Sequence, residues 1–184
     1  TSILIVPFIL WGFFKKTISL KTWLAIFIAL VGLFLLINPS NGNLNFGDII
    51  TIGCSVSFAG HIIVQDRYIN KNISIFRFFF IQLITVTILS FTSYIIIDSS
   101  SIIWSDRLIS ALLITGIFAT FLAIGVMVWA QRILTPTQTA LIFILEPVFA
   151  ALFSWYSVGE ILSITGMIGG LLIITGVIIA ETTE

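Results

Sequence analysis

Six stretches of this chain, residues 22–38, 47–65, 75–97, 108–130, 137–157 and 161–180, each run for 17 to 23 residues with no more than one acidic or basic side chain. An α-helix rises about 1.5 Å per residue, so about 20 such residues cross a hydrocarbon layer roughly 30 Å thick. Helices this apolar on every side have no polar face to turn toward water. Across all 184 residues, 59% are hydrophobic and 9% charged, where soluble domains carry about 25% charged residues. The expectation is an all-α integral membrane protein. A seventh apolar segment, residues 2–14, is shorter than a full span. It has no basic stretch before it, and Lys15 and Lys16 follow it, so it is read as a cut helix rather than a secretory signal. The chain is therefore expected to be a piece of a longer protein, with about seven spans joined by short connectors into an up-and-down bundle. Turn-forming residues mark the connectors: "NPSNGN" at 38–43, "DSSS" at 98–101 and "TPT" at 135–137.

The charges exclude some functions and orient the spans. Formal net charge is zero and the eight basic residues form no stripe, so no nucleic-acid partner is expected. Cys54 is the single cysteine and has no internal disulfide partner; it reads as a small core residue. Lys15, Lys16 and Lys21 lie around the first connector, Arg67, Lys71 and Arg77 around the third, and Arg132 in the fifth. The alternate connectors contain only Arg107. The positive-inside rule then places the first, third and fifth connectors, and the C-terminus, in the cytoplasm of a cell-membrane protein.

An internal repeat is also legible. A shift of 144 positions lays "WGFFKKTISLKTWLAIFIALVGLFLL" on "WYSVGEILSITGMIGGLLIITGVIIA", pairing Trp11 with Trp155, Ser19 with Ser163 and Gly32 with Gly176. On this reading residues 1–40 are the end of one repeat, with two helices of which the first is truncated, and residues 47–181 are a complete second repeat of five helices. An odd number of spans per repeat makes two tandem repeats inverted, an arrangement found in secondary transporters.

The segments "GDIITIGCSVSFAGHIIVQDRYINK" at 47–71, "WAQRILTPTQTALIFILEPVFAALFSW" at 129–155 and "GEILSITGMIGGLLIITGVIIAE" at 159–181 resemble the second EamA-type repeat of the drug/metabolite transporter superfamily. Residues 6–36 resemble the end of the first repeat. The resemblance implies a ten-helix inverted-repeat fold, of which this chain holds the last seven helices. It also implies a multi-pass carrier that moves amino acids, drugs or other small metabolites by alternating access. One departure is that Lys16 stands at the position matching Glu160.

Polar residues inside the spans are the candidates for the solute or proton pathway. Glu146 is the tenth residue of the span 137–157, near the midplane, where a charged side chain costs roughly 2.5–3.5 kcal/mol on insertion scales. It is expected to face the bundle interior or water. There it serves as a proton-coupling or substrate-contacting carboxylate, or as a buried acid bonded to a neighbouring helix. Pro147 has no N–H for the Phe143 carbonyl and predicts a kink, which either shapes the packing or bares a carbonyl to a cavity. His61 reads first as an interhelical hydrogen-bonding group and second as a proton-sensitive contact. Gln82 lies deep in its span, whereas Gln131, beside Trp129, reads as interfacial or as a solute contact. Gly166 and Gly170 have the small-xxx-small spacing of a close helix contact, within one bundle or across a homodimer. Asn72-Ile73-Ser74 matches a glycosylation sequon but falls in a connector assigned to the cytoplasm.

Three functions compete. A proton-coupled or uncoupled secondary transporter of a small solute in the lipid bilayer fits the spans and the intramembrane acid. A non-transporting remnant or membrane assembly subunit is the alternative. A membrane-embedded enzyme fits less well, because "GCSVS" at 53–57 is not a nucleophile elbow and no histidine cluster or paired acids suit metal or acid–base chemistry. No metal or cofactor is expected.

Overall fold

The computed structural model describes residues 2–37, 46–69, 74–97 and 102–182. The connectors at 38–43 and 98–101, Lys71, and Asn72 and Ile73 of the sequon lie outside the described residues. In chain order the helices are α1 (Ser2–Phe14), α2 (Leu20–Ile37), α3 (Phe46–Ile69), α4 (Ile75–Ile97), α5 (Asp106–Ile114), a π-helix (Thr115–Leu122), α6 (Ala123–Ala130), α7 (Pro136–Phe143), α8 (Glu146–Val158) and α9 (Ile164–Glu181). Among the described residues, six helical runs are long and apolar enough to cross a membrane, and Ser2–Phe14 is a shorter apolar helix. The all-α membrane class read from the sequence is the observed one. The chain divides into two compact units, residues 1–64 with 135–184, and residues 65–134.

In the first unit, α2 and α9 form the principal packing pair. Gly32 meets Gly169, and Ala25 meets Gly176. The partner on α9 falls in number as the residue on α2 rises, so the two helices run antiparallel. A Cβ on Gly176 would lie 2.8 Å from the Ala25 carbonyl oxygen, a distance that only glycine tolerates against backbone. Apolar tails in lipid give helices little reason to associate, so close backbone approach and dispersion contacts must supply it. Around this contact Ile26, Ala29, Ile173 and Val177 are buried together with Ile3, Leu141 and Val148. Gly166 and Gly170 are both buried within the unit, Gly170 beside Val148.

Both helices of the pair start in the same way. The Ser19 hydroxyl accepts the Thr22 N–H at 3.1 Å, and the Ser163 hydroxyl accepts the Gly166 N–H at 3.1 Å. Each fills one of the N–H groups that a helix start leaves open. At α7 the Thr135 hydroxyl accepts the Gln138 N–H while the Gln138 side chain accepts the Thr135 N–H, a reciprocal capping box followed by Pro136 in the first turn. Gly159, at φ 73°, closes α8 in the left-handed conformation that suits glycine at a helix end.

The span 137–157 is not one helix. It breaks between α7 and α8, where the Ile144 N–H bonds the Leu141 carbonyl at 3.2 Å and the Leu145 N–H bonds the Ile142 carbonyl at 3.0 Å. These tight three-residue bonds are the consequence of Pro147, which lacks the N–H that would continue the α ladder. The predicted kink is thus a two-residue break in the α ladder, with Ile144 and Leu145 still in right-handed helical conformation.

In the second unit, Ile69, Phe79 and Val128 are buried with Ile75, Phe78, Leu83 and Ile124 around them. The ring of Phe79 stands edge-on to Phe121, with centroids 5.2 Å apart, and lies 3.6 Å from a Cβ position on Gly125. The sequence suggests a plain α-helix over 108–130. The structure instead inserts eight π-helical residues, within which the Thr120 hydroxyl donates to the Thr115 carbonyl at 3.0 Å, five residues back. Hydropathy is blind to this, because a π turn and an α turn of the same residues are equally apolar.

Candidate functional site

The α7–α8 interruption opens on a cavity of about 240 Å³ in the first unit. Glu146, Pro147 and Phe143 line it from the interruption itself, Leu33 from α2, Phe58 from α3 and Ser2 from α1. Glu146 is the first residue of α8 and its side chain is exposed rather than packed among apolar neighbours. Carboxylates are favoured at a helix start by the positive end of the helix dipole. The Glu146 carboxylate thus stands at a helix start, exposed, beside a break in the backbone ladder.

His61 stands one turn beyond Phe58 on α3, half-buried, with the two rings stacked at 6.3 Å and 17°. Phe58 in turn meets Phe143 edge-on, with centroids 5.3 Å apart. An aromatic chain therefore connects His61 to the cavity wall. Gln82 belongs to the other unit, where its Nε2 donates to the Gln65 Oε1 at 2.7 Å. Gln131 is buried at the end of α6, where its N–H bonds the Met127 carbonyl at 3.0 Å. Of the five sequence candidates, Glu146 and Pro147 line the cavity, His61 adjoins one of its walls, and Gln82 and Gln131 lie in the second unit.

The structure adds residues that sequence reasoning passed over. Phe58 looked like any other span phenylalanine, and no local signal marks it. Gln65, the last residue of its apolar stretch, carried no signal that paired it with Gln82, because the two lie four and seven residues from the facing ends of α3 and α4. Glu160 lines a second hollow, of about 360 Å³, together with Pro147, and its carboxylate accepts the Ser154 hydroxyl. Pro147 thus borders two hollows, each with its own carboxylate.

The model of the EamA-like transporter family matches residues 45–182. Two proteins of Archaeoglobus fulgidus, each described as an uncharacterized transporter, are similar to the chain. One is 31% identical over 98% of it, the other 26% over 90%. The chain spans 58% of the length of each. No solved structure matches significantly. With the family match covering three quarters of its length and six membrane-length helical runs, the chain is a multi-pass membrane protein and belongs to the EamA-like transporter family.

Proposed function

We propose that this chain belongs to a secondary transporter that moves a small metabolite, amino acid or drug-like solute across the cell membrane by alternating access. The observation that carries the reading is the Glu146 carboxylate opening into the cavity at the Pro147 interruption. Broken helices in transporters expose backbone groups and helix ends to solute and coupling ion, which a continuous apolar helix cannot do. On this reading Glu146 carries the coupling proton, Pro147 holds the break open, and His61 tunes the Phe58 wall. Gln82 and Gln131 contribute hydrogen bonds to the solute path. The C-terminus faces the cytoplasm, in keeping with the positive-inside count.

The domain organisation proposed with it assigns residues 1–40 to the end of one repeat and 47–181 to a second. Support comes from the α2–α9 contact. Under the 144-residue shift Gly32 corresponds to Gly176 and Ala25 to Gly169, so the Gly32–Gly169 contact becomes Gly176–Ala25, and both contacts are present. Exchange of partners on swapping the repeats is the behaviour of two elements related by a local two-fold axis.

The test is uptake into vesicles reconstituted with the full-length protein, with and without a proton gradient, for the native sequence and Glu146→Gln. Loss of gradient-driven uptake with unchanged insertion is the expected result. Equal gradient-driven uptake by both would refute the coupling role of Glu146.

A further inference from the structure

Gln65 and Gln82 form the one pair of amide side chains that the described residues show bonded across two spans, and the pair is incompletely satisfied. Nε2 of Gln82 donates to Oε1 of Gln65 at 2.7 Å. The remaining amide atoms, Nε2 of Gln65 and Oε1 of Gln82, are buried and have no hydrogen-bond partner. Gln65 is 1% exposed, and Gln82 is half-buried. Gln65 is four residues from the end of α3 and Gln82 seven from the start of α4, so the pair sits about 6–10 Å inside its helix ends. Gln65 is the last residue of the apolar stretch 47–65, and a buried amide atom whose hydrogen bond is unmade is costly wherever water does not reach it.

A clasp that served only to join α3 to α4 would gain most by closing both bonds, since two primary amides can form a ring with two N–H···O links. Here one link is made, leaving one donor and one acceptor. Turning both amides over exchanges their roles and leaves the same complement, so the requirement does not depend on which atom is nitrogen. What satisfies both at once is a group that offers an acceptor beside a donor.

We infer that Gln65 and Gln82 together recognise a carboxamide-type edge, in which a carbonyl oxygen accepts from Gln65 Nε2 and an adjacent N–H donates to Gln82 Oε1. Amides, ureas and the amide edges of pyrimidine bases share this chemistry. Gln82 is half-buried, so of the two side chains it is the one that reaches the surface of the unit. The inference rests on the transporter reading for its physiological use, but binding at the pair requires no gradient and no flux.

The experiment measures equilibrium binding to the full chain in lipid nanodiscs, by titration calorimetry, of two matched probe pairs: nicotinamide against 3-acetylpyridine, and acetamide against acetone. Each ketone keeps the carbonyl acceptor and lacks the donor. The expected result is an amide-over-ketone preference of at least about tenfold that falls to near unity in Gln65→Leu and in Gln82→Leu. Should either leucine variant fail to fold, Gln65→Met and Gln82→Met, which keep the side-chain length, take its place. Equal binding of amide and ketone by the native chain, no binding of either amide, or a preference that survives loss of both glutamines would overturn the inference. Occupancy of the pair by water alone would appear as the second of these. None of these outcomes alters the vesicle result for Glu146→Gln, so the two readings fail separately.

Discussion

A Cβ built on Gly32 would lie 2.6 Å from the Gly169 carbonyl oxygen, and one built on Gly169 would lie 2.5 Å from that of Gly32. The two glycines hold α2 and α9 at a separation that no other residue permits. Gly169→Leu is expected to force the helices apart and destabilise the first unit by about 1–3 kcal/mol, the usual range for overpacking. Gly60→Ala, whose Cβ meets nothing within 4 Å, should be neutral or stabilising by up to about 1 kcal/mol. Thermal unfolding in detergent compares the two, and an equal loss in both would show that the effect is not one of close approach.

Ser163 and Thr135 start α9 and α7 by accepting backbone N–H groups. Ser163→Ala and Thr135→Ala should each cost about 0.5–2 kcal/mol, while Ser163→Asn, which keeps an acceptor, should cost much less. Amide hydrogen exchange at Gly166 and Gln138 reports the loss locally, as faster exchange in the first turn of the affected helix.

Pro147→Ala returns an N–H to the turn that lacks one. The expected outcome is a continuous helix through residues 143–147, closer to the roughly 21 Å that 14 residues span on a straight α-helix, read between spin labels at the exposed Ile142 and Tyr156. Stability should hold or rise, because an interior proline costs a helix about 3 kcal/mol. Uptake by the full-length protein should fall by about tenfold or more if the break forms the pathway. A straightened helix with unchanged uptake would remove the interruption from the mechanism.

Phe58→Ala removes the ring that meets Phe143 edge-on and stacks on His61. Such ring pairs contribute about 0.5–1.5 kcal/mol beyond area burial, so the total cost should be about 1–3 kcal/mol. The cavity gains the volume of the ring. Competition by solutes of increasing size for uptake should shift toward larger ones, whereas an unchanged size profile would place the solute elsewhere.

Fold class, membrane class and most span limits were legible because they depend on length and hydropathy, which are sums over neighbouring residues. The interruption at Pro147 was legible for a related reason. A missing N–H acts on the carbonyl four residues back whatever surrounds it, and the exposed Glu146 beside it was already conspicuous as an acid in an apolar span. The π-helix of residues 115–122 left no comparable mark, since its residues are as apolar as those of the α-helices it joins.

By itself the sequence determined which segments are apolar enough to enter the membrane, where the connectors fall, and that Pro147 would kink its span. These follow from hydropathy, turn-forming residues and a single proline, all of which act within a few residues. Only the tertiary structure decided that Gly32 faces Gly169, that Phe58 joins His61 to the Glu146 cavity, and that Gln65 completes half of a pair with Gln82. Those relationships depend on the rotation and offset of one helix against another. In spans apolar on every side, hydropathy does not distinguish one face from the next, and only packing in three dimensions chooses between them.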